Sequence, residues 1–318
     1  MLQSHDAFVL GAGFGDLFRS QVTITGKDRV RLLNGLTTND IKRLQPGAGC
    51  ESFLTNVQGK VAGHVYVFCN VDSLVLDSVA GQGAEIIRLL DRYVIREDVR
   101  FSNQSEAWHE LLLSGPKSAD VLMQLFSSDL PASPMQHRDL LFQSINVSVR
   151  RTGFAGINSF QLSVNQEAIP ELQQALLSSG AQSCTDEAVE VARIEAGTPL
   201  FGRDITSENL PQEVDRNPLA ISFTKGCYLG QETVARIDAL GHVNRSLRGL
   251  RFESSEVPPP AAEITKDGKT VAKITSTCFS HRLAAPLALA YVRRGQDQIG
   301  MRFSSEWGTA EVIRLPLG

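Results

Sequence analysis

Apolar residues in the first two thirds of the chain recur at two spacings, one typical of strands and one typical of helices. Alternating or β-branched runs predict strands, and apolar positions three and four residues apart predict amphipathic helices. The predicted strands cover residues 21–25, 51–55, 61–69, 73–79, 110–113 and 140–150. The predicted helices cover residues 28–36, 82–94, 117–126, 170–179 and 185–197. This mixture lacks regular βαβ alternation and therefore predicts an α+β fold.

From Arg245 onward the pattern changes to short β-like runs separated by turns. These runs cover residues 247–252, 270–275, 287–292, 298–303 and 310–315. Such a series is typical of a small all-β barrel or sandwich. We therefore expect an α+β region at residues 1–240 and a C-terminal β-barrel domain at residues 241–318.

Composition narrows the class of protein. A chain of 318 residues with 42% hydrophobic and 21% charged residues is typical of an ordinary globular protein of two or three domains. The net charge of −4 disfavours direct binding to nucleic acid, which usually needs a basic domain. No apolar run reaches the roughly 18 residues that span a membrane, and the start resembles no targeting peptide. We expect a cytoplasmic protein without a membrane partner.

The five cysteines stand at positions 50, 69, 184, 227 and 278, far apart from one another. No pair has the Cys-x-x-Cys spacing of a zinc or iron–sulfur site. The sequence therefore predicts no metal site formed by this chain alone.

The most chemically informative segment is 225–232, which reads Lys-Gly-Cys-Tyr-Leu-Gly-Gln-Glu. Gly226 permits a sharp turn that leaves the sulfur of Cys227 accessible, and the nearby Lys225 favours its thiolate. The residues after Gly230 form either a helix or an extended segment; a helix would lower the pKa of the thiol further. A buried turn cysteine is the structural alternative, and the residues alone leave both open.

Two other segments carry candidate chemistry. Glu195 lies in the last turn of the predicted helix 185–197, where the helix dipole disfavours a carboxylate. It needs a partner, and Arg193 is favoured slightly over a ligand. The glycines of segment 11–15 have the wrong spacing for a dinucleotide loop, so we interpret this segment as a flexible loop.

The segment 225–232, followed by Ala235-Arg236-Ile237, closely resembles the signature of the YgfZ-type folate-binding proteins, relatives of the glycine cleavage system T-protein. The resemblance covers nearly the whole chain. Its other motifs are Thr-Gly-Phe-Ala-Gly at 152–156, Arg-Ile-Glu-Ala-Gly-Thr-Pro at 193–199 and shorter matches at 22–28, 36–40, 44–47 and 209–213.

This resemblance implies a fold of subdomains, two of them intertwined, around a central channel that receives tetrahydrofolate or a one-carbon derivative. It implies a role in maintaining iron–sulfur enzymes, with cluster-assembly proteins or a tRNA methylthiotransferase as partners. Cys227 is then the central functional residue, and the rest of the motif shapes its surroundings: Lys225, Gly226, Tyr228, Gly230, Gln231, Glu232 and Arg236. Glu195, Arg193 and His64 are expected at the folate pocket.

Two departures from the T-protein pattern bear on the reaction. Gly63 and His64 stand where T-proteins carry paired aspartates, and Ile157 stands where they carry an acid after the Thr-Gly-x-x-Gly turn. Aminomethyl transfer needs a carboxylate to manage protons near the folate nitrogens. The resemblance therefore implies a folate pocket without ordinary aminomethyl transfer.

Three functions follow for testing. The leading hypothesis is a folate-binding accessory protein that supports iron–sulfur enzymes through Cys227. The second is a folate-dependent one-carbon enzyme, an aminomethyltransferase or demethylase, with His64 as base because its ordinary pKa of about 6.5 suits that work. The third is a non-catalytic binding module in which the basic segment 236–251 docks an anion or a protein.

Overall fold

A computed structural model describes residues 4–317, which form eight α-helices and three sheets. The helices are Ser4–Leu10 (α1), Arg29–Leu36 (α2), Gly83–Asp91 (α3), Ser118–Phe126 (α4), Ile169–Ser178 (α5), Asp186–Glu195 (α6), Asn217–Ala220 (α7) and Gln231–Leu240 (α8). The predicted α+β class is confirmed, because helices pack against the first two sheets and the C-terminal region is all β. No helix in the described range is long and apolar enough to cross a membrane.

The first sheet is antiparallel and has five strands. In spatial order they are Gly49–Thr55 (β3), Val61–Cys69 (β4), Leu74–Val79 (β5), Arg19–Thr25 (β2) and Arg100–Asn103 (β6). Its buried face packs with residues of α2 and α3, including Leu33, Ile86 and Leu90. The strands predicted at 21–25, 51–55, 61–69 and 73–79 are confirmed within a few residues.

The second sheet has six strands and interlocks with the first along the chain. In spatial order they are Gln182–Ser183 (β11), Gly13–Leu17 (β1), Trp108–Ser114 (β7), Ser159–Asn165 (β10), Ile145–Arg151 (β9) and His137–Phe142 (β8). Consecutive strands β1 and β2 belong to different sheets, so the polypeptide crosses between the two layers at residue 18. Helices α4 and α5 contribute to the apolar core of this sheet.

The prediction of a flexible loop at 11–15 is wrong, because residues 13–17 form the inner strand β1. The glycines of β1 allow its backbone to lie close to neighbouring side chains. A Cβ on Gly13 would lie 2.8 Å from the sulfur of Cys184, and one on Gly15 would lie 2.7 Å from Val189. A glycine-rich strand can therefore pass directly under α6.

The strand predicted at 140–150 is also wrong in extent, because the segment turns back on itself. Strands β8 and β9 form a hairpin whose turn includes Gln143 at φ +54°. A polar residue can adopt this left-handed conformation, and no glycine or proline announces the turn.

The third sheet is a six-stranded antiparallel near-barrel at the C-terminal end of the chain. In spatial order its strands are Glu263–Lys266 (β13), Lys269–Ser280 (β14), Ala285–Arg293 (β15), Arg245–Phe252 (β12), Gly308–Ile313 (β17) and Arg302–Ser305 (β16). The run predicted at 298–303 begins later than expected, because Gly300 at φ +86° precedes the strand. The predicted division at 240/241 falls between α8 and β12 and stays a prediction.

Helix α6 connects the second and third sheets, since it packs against α1, β1, β14 and β15. Thr185 caps it as predicted, with its side chain accepting a hydrogen bond from the backbone N–H of Ala188. Gly197 at φ +71° follows its last turn. This helix carries Arg193 and Glu195 into the interior.

Candidate functional site

Cys227 lies on the loop between α7 and α8 and is exposed. Gly230 ends this loop at φ +77°, and a Cβ there would lie 2.4 Å from the carbonyl oxygen of Asn56. The loop is therefore pressed against the β3–β4 turn. Gly226 has open space around a Cβ and no positive φ, so the sharp turn predicted at Gly226 is wrong and the required glycine is Gly230.

Lys225 anchors the Cys227 loop to the C-terminal end of α2. Its ammonium donates hydrogen bonds to the carbonyl oxygens of Asn34, Thr37 and Asn39 at 2.6, 2.7 and 2.7 Å. Burial lowers the pKa of Lys225 to about 8. The ammonium of Lys225 thus caps the end of α2, and the expectation that it favours the thiolate of Cys227 gains no support from these contacts.

The other motif residues divide between the interior and the surface. Tyr228 is buried, which raises the pKa of its hydroxyl to about 12, and its ring centroid lies 5.0 Å from the ammonium of Lys225. The side chain of Gln231 accepts a hydrogen bond from the Tyr228 backbone N–H at 3.2 Å. Glu232 and Arg236 are exposed on α8, which confirms the helical alternative for this segment.

The other four cysteines are less accessible than Cys227. Cys69 and Cys278 are buried, while Cys50 and Cys184 are partly buried. Burial raises the pKa of Cys50 and Cys278 to about 12 and that of Cys184 to about 11. These three thiols stay protonated at neutral pH, so Cys227 is the thiol that a partner can reach.

The predicted Arg193–Glu195 pair is wrong. Arg193 is 1% exposed and instead binds Asp204 at 3.0 Å, Ser276 at 2.9 Å and Glu190 at 2.9 Å. Two residues apart on a helix, the side chains of Arg193 and Glu195 point in different directions. Arg193 thus joins α6 to β14.

Glu195 has a different set of partners. Its carboxylate accepts a hydrogen bond from Ser280 at 2.6 Å and lies 3.5 Å from the imidazole of His5 and 3.9 Å from Arg282. The nearby carboxylate of Glu195 raises the pKa of His5, although burial acts in the opposite direction. These contacts offset the unfavourable position of the carboxylate at the end of α6.

His64 lies on β4, is 7% exposed and contacts Glu51 at 2.7 Å. Its ring stacks on Phe53 with centroids 5.2 Å apart. Arg216 also binds Glu51, with one N–H at 2.6 Å. Burial alone would raise the pKa of Glu51, but Arg216 and His64 outweigh it and lower the pKa to about 2. We call Glu51, His64 and Arg216 the Glu51 cluster.

Neither departure from the T-protein pattern restores an acid. Gly63 lies beside Leu54, and a Cβ there would meet that side chain at 3.0 Å. Ile157 is 76% exposed on the turn that follows β9.

A second buried charge cluster joins the first two sheets and was missed from the sequence. Glu110 accepts hydrogen bonds from Arg150 at 2.8 Å and Gln21 at 2.7 Å, and Asp77 accepts one from Arg19 at 2.5 Å. Burial, with Asp77 next, raises the pKa of Glu110 to about 7. The available signal was an acidic residue beside an apolar run within a strand, Asp77 after Leu-Val-Leu and Glu110 before Leu-Leu-Leu. We call this group the Glu110 cluster.

A cavity of about 660 Å³ lies between α6 and the strands β1 and β2. Phe154, from the Thr-Gly-x-x-Gly turn, contributes to its lining together with Val189 of α6. Charged side chains also line it, among them Arg19, Asp186 and Arg203. We call it the α6 cavity. Among the predicted cofactor residues, Arg193 lines it whereas Glu195 and His64 do not, and neither does Cys227.

The basic segment 236–251 does not form one anion-binding face. Its residues are divided between α8, the following loop and β12. Arg245 pairs with Glu213 at 3.1 Å, and Arg248 contacts Asp215 and Asp297. These arginines already hold carboxylates, which disfavours the docking role expected for them.

The described residues contain no group of three His, Cys, Asp or Glu side chains placed to hold a metal ion. A site on this chain would therefore have to use fewer ligands or rearrange.

Comparison with known proteins places these features in context. The model of the GCVT N-terminal domain matches residues 3–223, and that of the glycine cleavage T-protein C-terminal barrel domain matches residues 245–317. The chain is 27% identical over 313 residues to an aminomethyltransferase of Nostoc sp., covering 96% of this chain and 83% of the relative. It is also 27% identical over 301 residues to a putative chloroplastic transferase of Arabidopsis thaliana, covering 93% of this chain and 68% of that protein.

Among solved structures, the glycine cleavage system aminomethyltransferase T from Bartonella henselae has a similar fold. Its TM-score is 0.86 at 20% sequence identity, over 98% of this chain and 88% of that chain. This likeness extends through all three sheets.

Proposed function

Since the chain belongs to the GCVT N-terminal domain family, we propose that it is a folate-binding protein of the YgfZ type that supports assembly or repair of iron–sulfur enzymes. The observation that carries the proposal is the exposed thiol of Cys227, the most accessible of the five cysteines. It stands in the signature segment, on a loop anchored by Lys225. A rigid loop that presents one thiol suits transfer to, or contact with, a partner protein.

The proposed partners are iron–sulfur enzymes, including the radical enzyme that methylthiolates tRNA, or cluster-assembly proteins. Iron–sulfur clusters are commonly held by four cysteine thiolates, and Cys227 supplies one. In this proposal the partner supplies the remaining ligands, and the cluster is cargo rather than a resident cofactor.

The α6 cavity is the proposed site for tetrahydrofolate or a one-carbon derivative. Its volume falls in the usual range for small-molecule pockets. The lining fits such a molecule in part: Phe154 and Val189 offer apolar surface for a flat ring, and Asp186 offers an acceptor for ring amino groups. Arg203, which pairs with Glu190 at 2.6 Å, would have to share its guanidinium with the glutamate tail. When bound, the folate would carry a one-carbon unit.

Ordinary aminomethyl transfer is not part of the proposal, although relatives carry that name. Gly63 and Ile157 supply no carboxylate at the positions where the T-protein pattern has acids. Proton transfer to and from the reacting nitrogen needs such a group within hydrogen-bond reach.

The decisive experiment replaces Cys227 by Ser in cells and measures methylthiolated tRNA by mass spectrometry. Because a hydroxyl cannot replace a thiolate as ligand or nucleophile at neutral pH, we expect a loss of about tenfold or more. Cys50→Ser is the matched control, since the high pKa of Cys50 keeps that thiol protonated. Equal levels in Cys227→Ser and wild-type cells would refute the proposed role of the thiol.

Folate binding is tested separately by titrating the pure protein with tetrahydrofolate. A bulky Ala80→Trp substitution at the exposed edge of the α6 cavity should abolish binding by filling it, while Cys227→Ser should leave binding unchanged, because Cys227 does not line the cavity. Retained binding in Ala80→Trp would place the folate elsewhere.

A one-carbon enzyme is the second candidate, favoured by the contact between His64 and Glu51 at 2.7 Å. A histidine oriented by a carboxylate is a recurring arrangement for a general base. Turnover of a methylamine with tetrahydrofolate by the pure protein, lost in His64→Gln, would establish it. Absence of turnover with folate bound would leave the accessory role alone.

A further inference from the structure

A polar cleft of about 460 Å³ lies at the C-terminal end of α8, against the start of β12 and the loop after β15. None of its lining residues lines the α6 cavity, so it is a separate site. Its lining includes Gln212, Asp215, Asn217, Asp238, Arg294 and Asp297. We call it the α8 cleft.

Gln212 provides the strongest indication of a ligand. Its side chain is buried, with the residue 6% exposed, and its Nε2 donates a hydrogen bond to the carbonyl oxygen of Val234 at 2.7 Å. That bond fixes the orientation of the amide and leaves Oε1 as an acceptor. Within residues 4–317 this buried oxygen has no hydrogen-bond donor. Buried acceptors are normally satisfied, so a donor from outside the chain is expected here.

Asn217 repeats the pattern on the neighbouring helix α7. Its Oδ1 is buried and lacks a donor among the described residues. Gln212 and Asn217 therefore present two unsatisfied acceptors to one cleft, beside the amide N–H groups of Asn217.

The charges around the cleft favour a cation. Asp215, Asp238 and Asp297 line it, and Arg248 contacts two of them, Asp215 and Asp297. Arg294 and His242, both exposed, also line the cleft. Burial raises the pKa of Asp215 even with Arg248 beside it. The carboxylates outnumber the arginines by one.

The C-terminal end of α8 adds to the negative charge around the cleft. Its last turn contains no basic residue, and Gly241 caps it at φ +76°. The carbonyl end of a helix carries a partial negative charge that stabilises cations.

From these observations we infer that the α8 cleft binds the ammonium or guanidinium group of a small organic cation. Such a group carries several N–H donors and can satisfy Gln212 Oε1 and Asn217 Oδ1 together while facing the carboxylates. A compact metal ion fits less well, because the described side chains include no metal-ligand group of three. This site is independent of Cys227 and of the folate proposal.

Agmatine and L-arginine are suitable probes, since they share the guanidinium and differ by one carboxylate. Isothermal titration of the full chain with each measures the dissociation constant. Tighter binding of arginine would indicate that Arg294 binds the carboxylate of the ligand. Equal or tighter binding of agmatine would indicate a ligand without a carboxylate. Either result supports the cation site.

The critical variant is Asn217→Leu, which is close in shape and breaks no hydrogen bond made by that side chain in the structure. We expect it to weaken agmatine binding by about tenfold or more, as for loss of a hydrogen bond to a charged group. Gln212→Leu is the second variant, and Asn146→Leu on the exposed β8–β9 hairpin is the matched control. No binding of either probe to the wild type, or wild-type affinity in Asn217→Leu, would overturn the inference.

Discussion

Glu51 and Glu110 are both almost completely buried, yet their pKa values move in opposite directions. The pKa of Glu51 falls to about 2, while that of Glu110 rises to about 7. Glu51 shares Arg216 and His64 with no other carboxylate, whereas Glu110 lies beside Asp77, which competes for the same arginines. Burial opposes the charge in both cases, so the number of cations available to each carboxylate decides the outcome.

The two clusters also have different positions in the fold. The Glu110 cluster links β2 and β5 of the first sheet to β7 and β9 of the second. The Glu51 cluster ties the first sheet to the segment that leads into α7 through Arg216.

The largest effect is expected from Arg216→Met, which leaves Glu51 buried beside His64 alone. Removing one partner of a buried ion pair typically costs about 3–5 kcal/mol of unfolding free energy. Urea unfolding followed by circular dichroism measures the loss. Arg96→Met, on an exposed loop, is the control and should change stability by no more than about 0.5 kcal/mol.

A loss near that of the control would mean that His64 alone is sufficient to hold the charge of Glu51. The number of partners around each carboxylate would then not explain why the pKa values of Glu51 and Glu110 differ.

The sequence predicted most helices and strands, because the spacing of apolar residues along the chain matches the buried face of each element. Helix α6 was predicted from the capping residue Thr185 and from Gly197, both of which act locally. Strand β1 was missed because its glycines are required by contacts with Cys184 and Val189, which are distant in sequence. Turn chemistry failed at Gln143, a residue type that seldom signals a reversal.

The site shows the same division between local and distant causes. Nearby residues left a helix and an extended segment open after Gly230, and the structure has the helix. The partners of Lys225, Arg193 and Glu195 could not be read from nearby residues, because each lies on an element brought close only by tertiary packing. Sequence neighbours therefore misled the pairing of Arg193 with Glu195.

The second largest effect is the pH dependence of stability that Glu110 contributes. In the folded chain Glu110 keeps its proton up to a pKa of about 7, whereas an unfolded glutamate releases it near 4.5. The folded state thus binds more protons across this window, so its contribution to stability is full below pH 4.5 and is lost as the pH rises through 7. We expect the wild type to lose stability relative to Glu110→Gln by up to about 1.4 kcal/mol per pH unit.

Urea unfolding at several values between pH 4.5 and 7 gives this difference directly. Parallel curves for the two proteins would show that Glu110 is ionised throughout. Glu51 has the opposite sign: its contribution is complete above pH 4.5 and is lost as the pH falls towards 2.

The smallest effect is expected from Glu110→Gln at pH 6, and the same substitution at Glu51 is its matched comparison. Below its pKa of about 7, Glu110 is largely protonated, so a neutral amide of similar shape replaces a group that is already neutral. We expect a cost of about 1 kcal/mol or less for Glu110→Gln. Glu51→Gln leaves Arg216 buried without its carboxylate and should cost about 3 kcal/mol or more. Equal costs would show that cation number does not separate the two carboxylates, and that burial alone governs both.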